Sequence, residues 1–225
     1  MPGRVQVEIG SDFLLPSWAI THFLQQTEVN YLRYVTVDAI CGYAADGFDL
    51  TRLAVAPESA ELFPREKPTL HDASSGIVLA SKAESPGRFW NIIRRHSRPM
   101  VYVRADSGAY APLYDFFGDQ ALTIRRLEVK SPFEAVVEGL ASALPTLLYA
   151  SEHERREALG WENEQIGQAA RNVGDIVRTS QTIEDPRTPE GVRIYAKTVM
   201  DQLMEAQQRL NKSAGVSVHR IDEIG

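Results

Sequence analysis

Cysteine is almost missing from this chain. Cys41 is the single cysteine in 225 residues, so an intramolecular disulfide and a cysteine-rich metal site are both excluded. Histidine is sparse and scattered, at His22, His71, His96, His153 and His219. His153 and Glu157 share a helical i, i+4 spacing, but two ligands do not make a closed metal site. Glycine never gathers into a phosphate-cradling loop, and Gly108 with Gly118 follows no diagnostic spacing. The expectation is therefore no metal and no cofactor. Basic charge is in deficit: 24 Lys and Arg stand against 30 Asp and Glu, a net charge of −6, which disfavours wholesale nucleic-acid binding. Long hydrophobic runs are lacking too. No stretch approaches the ~20 apolar residues of a membrane span, and Met1-Pro2-Gly3-Arg4 leads into no signal-peptide core, so a cytoplasmic protein is expected.

What is present is a patterned C-terminal block, 131–212. Ile166, Ala169, Val173, Ile176, Ser180 and Ile183 recur at steps of three and four, and so do Val192, Ala196, Val199, Leu203, Ala206 and Leu210. This is the narrow a/d seam of a coiled coil. Between the two runs, Pro186 stops one helix, Thr188 suits an N-cap and Pro189 the first helical position. The spacing predicts an antiparallel helical hairpin over 151–213. Ahead of it, Ser131-Pro132-Phe133-Glu134 has the form of a capping box opening a helix over 135–150. The apolar face of that helix is Val136, Val137, Leu140, Leu144, Leu147 and Leu148, with a kink at Pro145.

The rest reads as a mixed body. Val5-Gln6-Val7-Glu8-Ile9 alternates as a half-buried strand does, and a helix follows from Pro16 to about Tyr43, with a possible break at Val35-Thr36-Val37. Residues 48–75, punctuated by Pro57, Pro64 and Pro68, form a long irregular connection, with a short helix conceivable over 56–62. Strands are expected at 76–80, 100–104 and 121–130, the last with a bulge at Arg125-Arg126. A helix is expected over 86–96, and a loop or short helix over 110–117. Val216 to Ile221 alternates again and can return to the sheet beside the first strand. The fold class is α+β: a small mixed sheet packed by helices, body 1–150 with 214–225 returning as a strand, plus the hairpin.

Three constellations carry possible chemistry. Arg88, Arg94, Arg95 and Arg98 with Phe89, Trp90 and His96 suit an anion or single-stranded nucleic acid, or else a solvated basic helix face over an aromatic core. His71-Asp72, near Ser74, Ser75 and Tyr114, suits a hydrolase-like site in 48–75 and 110–117, or simply polar loop turns. Cys41 is either a nucleophile or a small buried apolar residue. Trp161 is either exposed to a partner or packed on the body.

The run Leu127-Glu128-Val129-Lys130-Ser131-Pro132-Phe133-Glu134, followed by an apolar and then a charged helix, resembles a layout in uncharacterised bacterial conflict-system (antiviral defence) accessory proteins. The resemblance covers 122–157, with Phe133 where an aliphatic residue is usual, and it implies no catalytic residues.

The resulting expectation is a non-enzymatic assembly or adaptor protein that self-associates or binds a protein partner. The binding residues would be Val136, Leu140, Leu144, Leu147, Leu148, Trp161, Ile166, Val173, Ile176, Val199, Leu203 and Leu210. Rival expectations are a small-molecule enzyme and an Arg88–Arg94–Arg95–Arg98 nucleic-acid or nucleotide module.

Overall fold

The alternation of residues 5–9 does produce a strand, β1 (Arg4–Ser11), with Val5, Val7 and Ile9 buried on one face. The computed structural model describes residues 4–56, 78–80, 86–97, 99–113, 121–128, 133–141, 143–149 and 182–224. The chain divides into two compact units: residues 1–31, 117–181 and 202–225 form unit 1, and residues 32–116 and 182–201 form unit 2.

Unit 1 holds a four-stranded antiparallel sheet in the order β6-β7-β1-β8. The other three strands are β6 (Thr123–Glu128), β7 (Glu134–Leu140) and β8 (Val216–Ile224). β8, a strand as its alternation implied, pairs with β1, with Val7 opposite Ile221. The bulge read at Arg125-Arg126 is present as a register shift between Ile124 and Arg126.

The helix expected over 135–150 is instead strand β7 followed by a short helix, α3 (Leu144–Tyr149). Ala135 through Leu140 are all buried, on both faces of the sheet. A run buried on both faces, with even Glu138 inside, shows no alternation that would separate strand from helix. Pro145 sits in the first turn of α3, where its missing N–H costs nothing, and so makes no mid-helix kink.

The helix expected from Pro16 to about Tyr43 is α1 (Ser17–Ala45), unbroken at Val35-Thr36-Val37. All three of those residues are buried, and Thr36 Oγ1 donates to Leu32 O at 2.7 Å. Packing outweighs the modest helix penalty of β-branching. Residues through Tyr31 belong to unit 1. There Phe23 meets Phe133 at 6.2 Å, and Leu140 N–H donates to the Tyr31 hydroxyl at 2.8 Å. Gly139 is needed for this approach, because a Cβ there would lie 3.0 Å from the Tyr31 ring.

Of the hairpin, the first arm lies outside the described residues. The second is one helix, α4 (Glu190–Ala214), which leads directly into β8. Gly215, at φ +58°, ends it in the left-handed conformation typical of helix C-termini. Asp185 and Arg187 pair at 2.7 Å in the turn before α4, while Thr188 Oγ1 donates to Cys41 O at 3.5 Å.

Within unit 1, α4 meets α1 through a fully buried polar ladder. Asn30 Nδ2 donates to Gln207 Oε1 at 2.9 Å, and Gln207 Nε2 donates to Thr27 Oγ1 at 3.1 Å and Asn211 Oδ1 at 2.8 Å. Asn211 Nδ2 then caps the carbonyls of Leu147 and Leu148 at 3.0 and 3.1 Å. On the sheet, Arg4 and Arg125 both bind the buried Glu138 carboxylate. The Arg125 hydrogen bond, with the nearby Arg4 charge, holds that carboxyl below the usual range.

Unit 2 holds a second antiparallel sheet, in the order β3-β2-β4-β5, so the single mixed sheet expected from sequence is two antiparallel ones. Its strands are β2 (Leu53–Ala56), β3 (Val78–Leu79), β4 (Met100–Arg104) and β5 (Tyr110–Pro112). β2 falls inside the stretch read as irregular, since four residues are too few for alternation to show. The helix expected over 56–62 lies outside the described residues. One side of the sheet buries Ala54, Met100, Tyr102 and Tyr110 together. α2 (Pro86–Arg95) packs against β2 and β3.

Cys41 lies in the α1 part of unit 2 with no exposure, and burial, with Asp38 adding to it, pushes its thiol up to about 12. Thiolate is then scarce at pH 8. Iodoacetamide is expected to alkylate the native chain far more slowly than the denaturant-unfolded chain, as followed by intact mass. Equal rates would contradict this packing.

Candidate binding cleft

α2 is amphipathic in the way its sequence implies. Phe89, Trp90, Ile92 and Ile93 are buried, while Arg88, Asn91 and Arg95 face solvent and Arg94 is half-buried. Arg33 Nε donates to His96 O at 3.1 Å, placing a cation at the carbonyl end of the helix, where the dipole favours it. Burial lowers the Arg33 pKa. Trp90 is the functional surprise of this helix. Its ring lies parallel to that of Tyr195 in the first turns of α4, with centroids 6.3 Å apart and planes 8° apart.

These two rings help to wall a cleft of about 260 Å³ in unit 2, with Ile40, Leu53, Phe89 and Val192 among its other walls. Gly191 stands at the rim, and a Cβ added there would meet nothing within 4 Å. Among the described residues that line the cleft there is no carboxylate, imidazole, thiol or amine; the sole titratable group is the Tyr195 hydroxyl. The arrangement suits burial of an apolar group. Beside it, Ile194 is 58% exposed and Tyr195 39%, so the rim is apolar as well.

Unit 1 carries a second unusual surface, in the turn from β1 to α1. Phe13, Leu14 and Trp18 are 52%, 76% and 72% exposed within six residues of sequence. The turn is well held. Ser11 Oγ donates to Ala214 O at 2.6 Å and accepts from Phe13 N–H at 3.1 Å, while Asp12 N–H donates to Gly215 O at 2.9 Å. Phe13 lies over Gly215, where a Cβ would come within 2.5 Å of its ring. Three large apolar side chains are thus held close together in solvent on a fixed backbone.

The residues expected to bind a partner are placed otherwise. Val136, Leu140, Leu144, Leu147, Leu148, Val199 and Leu203 are buried, and Leu210 is half-buried. They form core, and in unit 1 the mate of the α4 seam is α1. Trp161, Ile166, Val173 and Ile176 lie outside the described residues, as do Arg98, His71, Asp72, Ser74, Ser75 and Tyr114. Arg88 and Arg95 share one exposed face of α2, and Trp90 points away from it into the cleft. The ring expected to stack on a base therefore stacks on Tyr195. Among the described residues, no group of three or more His, Cys, Asp and Glu side chains is placed to hold a metal ion, and no helix is long and apolar enough to cross a membrane. No family model matches the chain, no curated protein matches it, and no solved structure matches it.

Proposed function

We propose that this chain is a non-enzymatic assembly or adaptor protein that binds another protein by taking one of its apolar side chains into the unit 2 cleft. The observation that carries this reading is the apolar cleft of about 260 Å³ walled by the parallel Trp90 and Tyr195 rings. Trp, Tyr and Arg are the residues around which binding energy concentrates at protein interfaces, and α2 and α4 bring all three types to this part of unit 2. An apolar cavity of about 150 Å³ is enough to bind benzene, so this one has room for a bicyclic aromatic side chain.

Free indole tests the reading by standing in for such a side chain. In a titration followed by NMR, the Trp90 indole N–H and the Gly191 amide are expected to shift saturably. The shifts should be lost in Gly191→Leu, whose side chain enters the open space at the rim. Absence of any shift at these two groups would remove the reading.

A further inference from the structure

The two faces of α2 are chemically distinct. Phe89 and Trp90 turn inward, while Arg88, Asn91 and Arg95 recur at helical spacing on the other face and are all exposed. We infer that this outer face is a second docking surface, which receives an acidic segment of another protein. It is separate from the cleft and does not depend on it.

Three observations carry it. Among the described residues, neither Arg88 nor Arg95 has an ion-pair partner, whereas Arg187, Arg209 and Arg220, also exposed, hold carboxylates at 2.7, 3.1 and 2.8 Å. No Asp or Glu occurs between Glu84 and Asp106, so the sequence supplies no local acid to neutralise this helix, although the whole chain has a net charge of −6. Arg88 also stands in the first turn of α2, where the helix dipole disfavours a cation. The dipole accounts for Arg95, in the last turn, but not for Arg88. An unpaired arginine held against the dipole departs from what the helix alone favours, and such departures gather at functional surfaces.

The spacing sets the partner's pattern. Arg88 and Arg95 lie on one face roughly 10 Å apart along the axis, at ~1.5 Å per residue. A segment with two carboxylates at that separation meets both guanidinium groups, which pair carboxylates through two parallel hydrogen bonds. Asn91 lies between them, with an amide that both donates and accepts. A nucleic acid fits less well. No aromatic ring of α2 lies on this face to stack on a base, because Trp90 is buried on the other side, and the chain's overall negative charge repels a long polyanion.

Fluorescence anisotropy of labelled octaglutamate, titrated with the full chain, is the test. Wild type is expected to bind it saturably, and less tightly as salt rises. Reversal at both positions, Arg88→Glu with Arg95→Glu, replaces two attractions by two repulsions, and binding should weaken by about 10-fold or more. Arg88→Gln with Arg95→Gln should fall between that variant and wild type. Arg209→Gln with Arg220→Gln removes the same net charge from arginines that are already paired, and should leave binding within about twofold of wild type. A wild-type chain that does not bind octaglutamate overturns the inference. So does an Arg88 and Arg95 pair of variants that binds no more weakly than the Arg209 and Arg220 pair. Tighter binding of an oligothymidylate of equal charge would overturn it as well, by assigning the face to nucleic acid.

Discussion

Asn211→Ala is expected to cost about 3–4 kcal/mol of unfolding free energy. Asn211 is fully buried and its amide makes three hydrogen bonds at once: to Leu147 O, to Leu148 O and from Gln207. Each buried polar group left without a partner costs about 1–3 kcal/mol. Alanine orphans the two carbonyls at the end of α3 and deprives Gln207 Nε2 of one of its two acceptors, with no water able to replace a side chain at zero exposure without opening the core. At about 2–4 °C per kcal/mol for a chain of this size, the melting midpoint should fall by roughly 10 °C. Gln202→Ala, at an exposed position on the same helix, should stay within about 0.5 kcal/mol of wild type. Calorimetry on the two variants decides the matter. Similar melting points would mean that the ladder contributes little and that the apolar contacts of α4 hold unit 1 alone.

Alkaline unfolding is the second large effect. Burial pushes the Tyr31 hydroxyl up to about 12 from 10.0, an effect only partly offset by the Leu140 hydrogen bond and the Arg4 charge. Cys41 rises from 9.0 to about 12, mainly through burial. Both groups are neutral when protonated, and the folded chain keeps those protons to higher pH than the unfolded chain does. Their contribution is therefore whole below pH 9, where the unfolded thiol begins to ionise. It falls as pH rises, from 9 for Cys41 and from 10 for Tyr31, and is gone by about 12 for both. At about 1.4 kcal/mol per pH unit for each group, the loss is on the order of 7 kcal/mol, comparable with the whole stability of many domains. Melting curves from pH 8 to pH 11.5 should show a midpoint flat to pH 9 and then steeply falling. Tyr31→Phe should begin about 1–2 kcal/mol lower at neutral pH, because Leu140 N–H loses its acceptor, yet decline less steeply above pH 10. Parallel curves for the two proteins would show that Tyr31 does not carry the effect.

Both predictions depend on contacts between residues far apart in the chain, and this is where sequence and structure part. The β1 and β8 alternations and the bulge at Arg125-Arg126 were legible, because each is a local pattern of period two or a break in it, while the place of β8 beside β1 was open in the sequence and is fixed by the sheet. α2 and α4 were legible as helices from a local period of their own, apolar residues at steps of three and four. β7 was misread, and with it the helix assumed by the resemblance over 122–157. A strand buried on both faces shows no alternation, and the Ser131 to Glu134 capping pattern is too short to decide between a helix and a turn. The α4 seam was expected to pair with the first arm of a hairpin, which lies outside the described residues, and within unit 1 α4 meets α1 and the end of α3 instead. A narrow stripe states that a mate exists and leaves its identity open. In unit 1 the mate is α1, reached through Gln207 from 177 and 180 residues away. The residues chosen from that stripe as a binding surface are consequently core.

By itself, then, the amino-acid order determined the α+β class, most of the described strands and helices, and the exclusion of disulfide and cysteine-rich metal chemistry. Those follow from composition and from periods that a single element carries. Only the tertiary structure decided which apolar faces are consumed in packing and which remain open. Val136, Leu144 and Leu203 are as apolar as Leu14 and Trp18, and no local property separates them. Burial belongs to the whole arrangement: it closed over the first three, left Leu14 and Trp18 in solvent, and set Trp90 and Tyr195 in parallel from helices that begin about a hundred residues apart.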